Sequence, residues 1–219
     1  MRKINCINDN WTFVKEGVPE TVRLPHTWNA EDGQTGPAPY YRGECVYKKE
    51  FAKPELDKGE QAYIEFRGVN SSARVLINGK EASRHDGGYS TFRVNITDKL
   101  ETNNVLEVYV DNSPNDRVYP QKADFTFYGG IYRDVYMIIT DGTHFDMDDH
   151  GGNGFYITPH LSGNDASITF EAHIAGAADR VVVSVEGVGE TELSLSEVNN
   201  TGNGANKIGM GSLKIQDVH

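Results

Sequence analysis

Long apolar runs are missing from this chain of 219 residues. No stretch reaches the roughly 18 consecutive apolar residues of a membrane-spanning helix, so no membrane partner is expected. The N-terminal segment also lacks an apolar run of signal-peptide length, and a cytoplasmic location is the expectation. Cysteine is scarce: Cys6 and Cys45 are too few for a disulfide framework, and two reduced thiols are expected. Without secretion, the sequons at Asn10, Asn70, Asn95 and Asn199 carry no argument for glycosylation. Positive charge is in deficit, with 21 Lys and Arg against 32 Asp and Glu, a net charge of −11. Such a surface repels phosphate backbones, which excludes nucleic acid as a partner. There is no Gly-x-Ser-x-Gly elbow, no phosphate-binding glycine loop and no basic patch.

What is present is period-two alternation. In Tyr63-Ile64-Glu65-Phe66-Arg67, Ile64 and Phe66 share a face, which predicts a half-buried strand. In Val105-Leu106-Glu107-Val108-Tyr109-Val110 the inward set is Leu106, Val108 and Val110. Val75-Leu76-Ile77 runs into Asn78-Gly79, a dipeptide suited to the positive φ of a tight hairpin. No window carries an amphipathic helix over three turns. Many short strands, with 23 glycines for the turns, predict an all-β protein built of sandwiches.

A boundary is expected near residue 141, dividing the chain into 1–140 and 141–219. Past it, alternation restarts at Ile168–Ile174, Val181–Val185 and Leu193–Leu195. The second unit is about 75 residues, below the roughly 100 of an immunoglobulin-like sandwich. Asn199–Gly211, rich in Asn and Gly, is expected to be a loop. His144-x-Asp146-x-Asp148-Asp149-His150 gathers potential metal ligands. Its spacing fits neither a zinc site nor a calcium loop, so a solvated linker is expected and no metal or other cofactor.

The densest stretch is Ala123-Asp124-Phe125-Thr126-Phe127-Tyr128-Gly129-Gly130-Ile131-Tyr132-Arg133-Asp134-Val135. Aromatic faces stack on the C–H faces of sugar rings, and carboxylates accept hydrogen bonds from hydroxyls. Adjacent glycines let the backbone pass where a side chain would not fit. Read on residue types alone, this is a loop of core aromatics before a strand.

The string resembles the segment closing the N-terminal sugar-binding domain of glycoside hydrolase family 2, the β-galactosidase and β-glucuronidase family. Further motifs follow in that family's order. Leu24-Pro25-His26-Thr27-Trp28-Asn29 is similar to its Leu-Pro-His-x-Trp motif, and Gly43–Phe51 to its Gly-x-x-x-Tyr-Arg-Lys-x-Phe strand, with Lys48 where arginine is usual. Ala73-x-Val75-x-x-Asn78-Gly79 and His85-x-Gly87-Gly88-Tyr89-x-x-Phe92 resemble its central hairpin, with Ser83 and Asn95 in place of a common glycine and aspartate. Val110-Asp111-Asn112-Ser113 completes the set. The resemblance implies a jelly-roll, galactose-binding-like β-sandwich followed by an immunoglobulin-like β-sandwich incomplete at its C-terminus. It implies a retaining β-glycosidase as parent, with the Gly-Gly-Ile-Tyr-Arg-Asp form closer to the β-galactosidase branch. β-Glucuronidase and a free-standing carbohydrate-binding module are the alternatives.

The resemblance also assigns roles. Asp124 would reach out of its domain to contact hydroxyls of a carbohydrate substrate. Asn29 is the nearest candidate for a second substrate contact from the loop after Trp28. Trp11, Trp28, His26 and His85 are expected to be structural, and Arg133 to bond loop carbonyls or a carboxylate. The catalytic pair would be two glutamates on a C-terminal barrel, the chain's main implied partner. The Asn-Glu dipeptide of the acid/base motif occurs nowhere here. No catalytic residue is therefore expected in the chain, and homo-oligomerisation is left open.

Overall fold

A computed structural model describes residues 2–31, 40–119, 125–149, 151–198 and 206–215. The chain forms two compact units, Met1–Ile139 and Thr140–His219. Among the described residues the regular elements are strands, apart from one 3₁₀ turn at Thr97–Lys99.

The first unit contains β1 (Lys3–Cys6), β2 (Trp11–Lys15), β3 (Val18–Val22), β4 (Glu44–Ala52) and β5 (Gln61–Phe66). It continues with β6 (Ser72–Ile77), β7 (Lys80–Asp86), β8 (Phe92–Asn95), β9 (Asn103–Asp111) and β10 (Val135–Thr140). They make two sheets, of order β1-β10-β5-β8 and β3-β2-β4-β9-β6-β7. Alternation sets the inner face of the larger sheet. Trp11, Phe13, Cys45, Tyr47, Val75, Ile77, Leu106, Val108 and Val110 are buried, while their neighbours along each strand are not. These side chains form one core with Ile64, Phe66, Phe92 and Val94 of the smaller sheet. Between β6 and β7, Asn78 and Gly79 take φ of 51° and 75°, the twisted two-residue turn that an Asn-Gly pair favours.

One strand departs from the sequence reading. β5 is buried on both faces, not one: Tyr63 and Glu65 are covered as well as Ile64 and Phe66. Alternation failed to show this because Glu65 reads as a solvent residue. Its carboxylate accepts hydrogen bonds from Arg93 at 2.7 Å and Arg67 at 3.1 Å, which makes its burial tolerable.

The second unit contains β11 (His144–Phe145), β12 (Phe155–Ser162), β13 (Asp165–Ala175), β14 (Val182–Val185), β15 (Gly189–Glu192), β16 (Ser194–Glu197) and β17 (Lys207–Ile215). β13 pairs with β11, β12 and β17, β16 pairs with β17, and β14–β15 is a separate hairpin. Phe170, Ala172, Ile174, Ala178 and Leu193 form its core.

Two expectations are corrected here. Within Asn199–Gly211, residues 199–205 lie outside the described residues, but Lys207–Gly211 is strand, not loop. It pairs with Phe170–Ile174 of β13. Its glycines misled because they answer to packing. A Cβ at Gly211 would sit 2.6 Å from Leu193 Cδ2, and one at Gly209 3.0 Å from Leu195 Cδ2. The acidic stretch after residue 143 is not a solvated linker throughout. His144–Phe145 pairs with β13, and Asp146 and Met147 are buried. The Asp146 amide donates to His173 O at 2.9 Å, and its carboxylate accepts from the Asp148 amide. His150 lies outside the described residues.

Candidate functional site

The aromatic-glycine string lies between β9 and β10. Its Ala123 and Asp124 fall outside the described residues, so the first predicted site residue has no position here. From Phe125 onward the segment is placed by side chains distant in sequence. Asn112, just past β9, donates from Nδ2 to Phe127 O at 2.8 Å. Asn70, after β5, donates to Tyr128 O at 2.7 Å. The Gly129 amide donates to Asn29 Oδ1 at 2.7 Å, and Thr27 Oγ1 donates to Gly129 O at 2.7 Å. Gly130 and Asn70 exchange backbone hydrogen bonds at 3.0 and 3.2 Å, and His26 N donates to Ile131 O at 2.8 Å. Five consecutive residues, Phe127 to Ile131, thus have backbone groups claimed by partners from three other stretches. Buried amides whose donors and acceptors are matched act as rigid spacers.

The two glycines are explained by close approach. A Cβ at Gly129 would fall 2.0 Å from Trp28 Cζ2. One at Gly130 would fall 2.4 Å from His26 O, and Gly130 also takes φ of 130°. The expected structural roles of this neighbourhood are visible. Trp11 and Trp28 are buried, and Phe13 stacks on Trp28 at 5.9 Å. His26 Nδ1 shares a hydrogen bond of 2.8 Å with Tyr47 Oη. His85 Nε2 lies 3.0 Å from both Gly87 O and Ser90 Oγ. Burial lowers the pKa of both histidines, which favours neutral rings, and raises that of Tyr47.

Asn29, expected to reach a sugar, is wholly buried with its amide turned inward. Its Nδ2 donates to Tyr41 O at 2.9 Å, and its Oδ1 accepts from Asn112 Nδ2 at 3.1 Å besides Gly129 N. Its place is under the segment, spacing Gly129 from the strand. Asp134 is also spent internally. It accepts from Asn8 Nδ2 at 2.7 Å and Tyr136 Oη at 3.1 Å. Among the described residues Arg133 bonds no carbonyl or carboxylate, and its guanidinium lies 5.9 Å from the Tyr132 ring. Tyr132 Oη instead makes the loop bond, to Gly88 O.

The outward parts of the segment are aromatic. Phe125 and Tyr128 are exposed, and Phe125 meets Phe127 at 5.1 Å. Arg42 caps Phe127, its guanidinium 4.7 Å from the ring, while its Nε donates to Asn112 O at 2.8 Å. Sequence reading missed Asn70 and Asn112 as anchors. The available signal was a lone asparagine after each apolar strand, Val69-Asn70 and Val110-Asp111-Asn112. Among the described residues no group of three His, Cys, Asp or Glu side chains is arranged to hold a metal. The described part of the site can orient and stack.

A family model described as the glycosyl hydrolase 2 galactose-binding domain-like domain matches residues 38–131, which include all five of these anchored positions and both newly found asparagines. The chain belongs to glycoside hydrolase family 2. It is 39% identical over 181 residues to a β-glucuronidase of Bacteroides fragilis, a match covering 78% of this chain and 26% of that protein. It is 31% identical over 181 residues to a β-galactosidase of Thermoanaerobacter pseudethanolicus, covering 78% of this chain and 23% of the relative. A crystal structure of a putative β-galactosidase from Bacteroides fragilis superposes on the whole chain with a TM-score of 0.84 at 29% identity, over 36% of that protein. The chain therefore spans about a quarter of the length of these curated relatives. They carry both enzyme names, so the family 2 membership is common ground and the sugar is not.

Proposed function

We propose that this chain is the non-catalytic N-terminal portion of a retaining β-glycosidase, supplying scaffold and substrate-positioning groups to a catalytic domain. The observation that carries the reading is the clamp on Phe127–Ile131, in which Asn29, Asn70 and Asn112 hold the segment immediately after Asp124. A carboxylate entering from a segment fixed at one end loses less freedom on binding than one on a free loop. Asp124 is the group that would accept hydrogen bonds from sugar hydroxyls. Asn29 serves as a positioning residue through Gly129. The two glutamates that cleave the bond would come from the barrel of the full-length protein, by double displacement through a glycosyl-enzyme intermediate.

Two observations favour different sugars. The greater identity to the Bacteroides fragilis protein favours a β-glucuronide, and the Gly-Gly-Ile-Tyr-Arg-Asp form favours a β-galactoside. Turnover of aryl β-galactoside and aryl β-glucuronide by the full-length enzyme decides between them. Asp124→Asn is expected to lower its kcat/KM about ten- to hundredfold, since a hydrogen bond to a charged group contributes roughly 1.5–3 kcal/mol. The same change should move the melting of the 219-residue chain by no more than about 0.5 kcal/mol, as surface changes do. The chain alone should turn over neither substrate. Activity of the pure chain that disappears on replacing one of its own carboxylates would overturn the proposal. So would wild-type kinetics in the full-length Asp124→Asn enzyme.

A further inference from the structure

Two open depressions lie in series on the first unit. One, of about 450 Å³, is on the outer face of the six-stranded sheet and is lined by Tyr109 and Arg74. The Arg74 guanidinium lies 4.1 Å from the Tyr109 ring centre. The other, of about 350 Å³, is lined by Gly87, Gly88, Tyr89 and Tyr119. Arg117 borders both, its Nε donating to Asp86 Oδ2 at 3.0 Å. Tyr89 and Tyr119 in turn line a small cleft with Phe127 and Arg42. The depressions thus form a track that ends against the clamped segment, and residues 117–119 run directly toward Asp124 in the sequence.

The chemistry of the track is mixed in a specific way. Tyr119 is 83% exposed and Tyr89 65%, two large rings left in water. Each offers an apolar face and a polar tip. The larger depression is lined by three guanidiniums, Arg74, Arg84 and Arg117, and three carboxylates, Glu44, Asp86 and Asp111. Equal numbers of the two charges favour neither a simple anion nor a simple cation. Interleaved donors and acceptors instead match a neutral ligand bearing many hydroxyls, and the ring faces match one with apolar C–H surfaces. A pyranose has both. Depressions of this size lie within the range that holds small ligands.

We propose that this track is an oligosaccharide-binding subsite, taking neutral pyranose rings. The ligand class rests on the glycosidase reading above, but binding to the track requires no catalysis. The test is titration of the 219-residue chain with galactose, lactose, β-1,4-galactotetraose and cellotetraose, followed by calorimetry and by NMR shifts of labelled tyrosine. At least one tetrasaccharide should bind tighter than the smaller sugars, with shifts at Tyr89, Tyr109 and Tyr119. Tyr119→Ala should weaken that binding about threefold to tenfold, the effect of losing one aromatic stacking partner. Tyr119 is mostly in solvent, so this variant keeps its fold. Tyr109→Ala, verified as folded by its melting curve, should do the same from the other end of the track. Affinity that does not rise with chain length, or that survives both substitutions, overturns the proposal. So does loss of self-association in Tyr119→Ala without any glycan effect, which would assign the ridge to a second copy of the chain. Failure of the full-length enzyme to cleave any β-glycoside, with tetrasaccharide binding intact, would sink the glycosidase reading and leave the track standing.

Discussion

At the residue scale the informative groups are three buried asparagines. A buried amide has several hydrogen-bonding groups to satisfy, and each one left unpaired costs about 1–3 kcal/mol. Asn29 is joined to Gly129, Tyr41 and Asn112 at once. Asn29→Ala is therefore expected to destabilise the chain by about 2–3 kcal/mol, chiefly by stranding the Gly129 amide. Asn103→Ala, at the exposed start of β9, serves as the control in the same urea melts. A matching small loss in both variants would show that Asn29 is not an anchor. The two cysteines make a second residue-scale contrast. Both are free; Cys45 is buried on β4, and burial pushes its thiol pKa up to about 12, whereas Cys6 is exposed. The thiolate is the reactive form. A thiol reagent at pH 8 should titrate one cysteine in the native chain and two after denaturation. Rapid reaction of both without denaturant would contradict the burial of Cys45.

At the scale of elements, β12 is the exposed strand. Its pairing partner is β13, and seven of its eight residues are exposed. Ile157 and Leu161 stand 59% and 78% open. They lie opposite Phe170 and Ala166, so the apolar face of β13 extends onto a strand that the described residues do not cover. Strand edges with apolar side chains pair readily with other chains, and a proline such as Pro159 blunts this only where its missing donor falls. The isolated chain is expected to self-associate through this edge. Leu161→Lys should raise the monomer fraction in sedimentation at equal concentration, and an unchanged distribution would exclude the β12 edge as the contact. By contrast, β17 carries glycines yet is held across nine register pairs with β13, from Lys207 to Ile215. A glycine-rich sequence is no guide to looseness when a neighbouring leucine fills the space.

At the scale of the whole molecule, two half-buried histidines couple stability to pH. His26 and His85 both have pKa values lowered by burial. In the unfolded chain each would titrate near the usual value of about 6.5. Between that value and the lower folded one, the unfolded chain binds protons that the folded chain does not. Stability is therefore fully present above about pH 6.5 and is lost as pH falls toward the folded pKa. The melting temperature is expected to drop between pH 7.5 and 5.5. His26→Asn/His85→Asn should show a shallower drop, and an equal slope in both proteins would mean other groups carry it.

Much of the architecture was legible because its cause is local. Alternation places every second residue on one face, so the inner face of β9 could be read directly. The turn at Asn78-Gly79 follows from positive φ, a property of two residues. Motif order pointed to the family. The candidate site was half legible. Gly129-Gly130 announced a close approach, but not that Trp28 and the His26 carbonyl are what approach. Asn29 was visible as a polar residue after Trp28, and its direction was not. Whether an amide faces water or a neighbouring backbone depends on chain that lies 83 or 100 positions away, as Asn112 and Gly129 do from Asn29. The same holds for Glu65, whose burial is decided by Arg93 across the sheet, and for Gly211, decided by Leu193. The sequence alone determined which residues alternate, turn and repel phosphate, since these are properties of near neighbours and of composition. Only the tertiary structure decided which polar groups are spent inside, because a hydrogen bond is settled by distance in space and not along the chain.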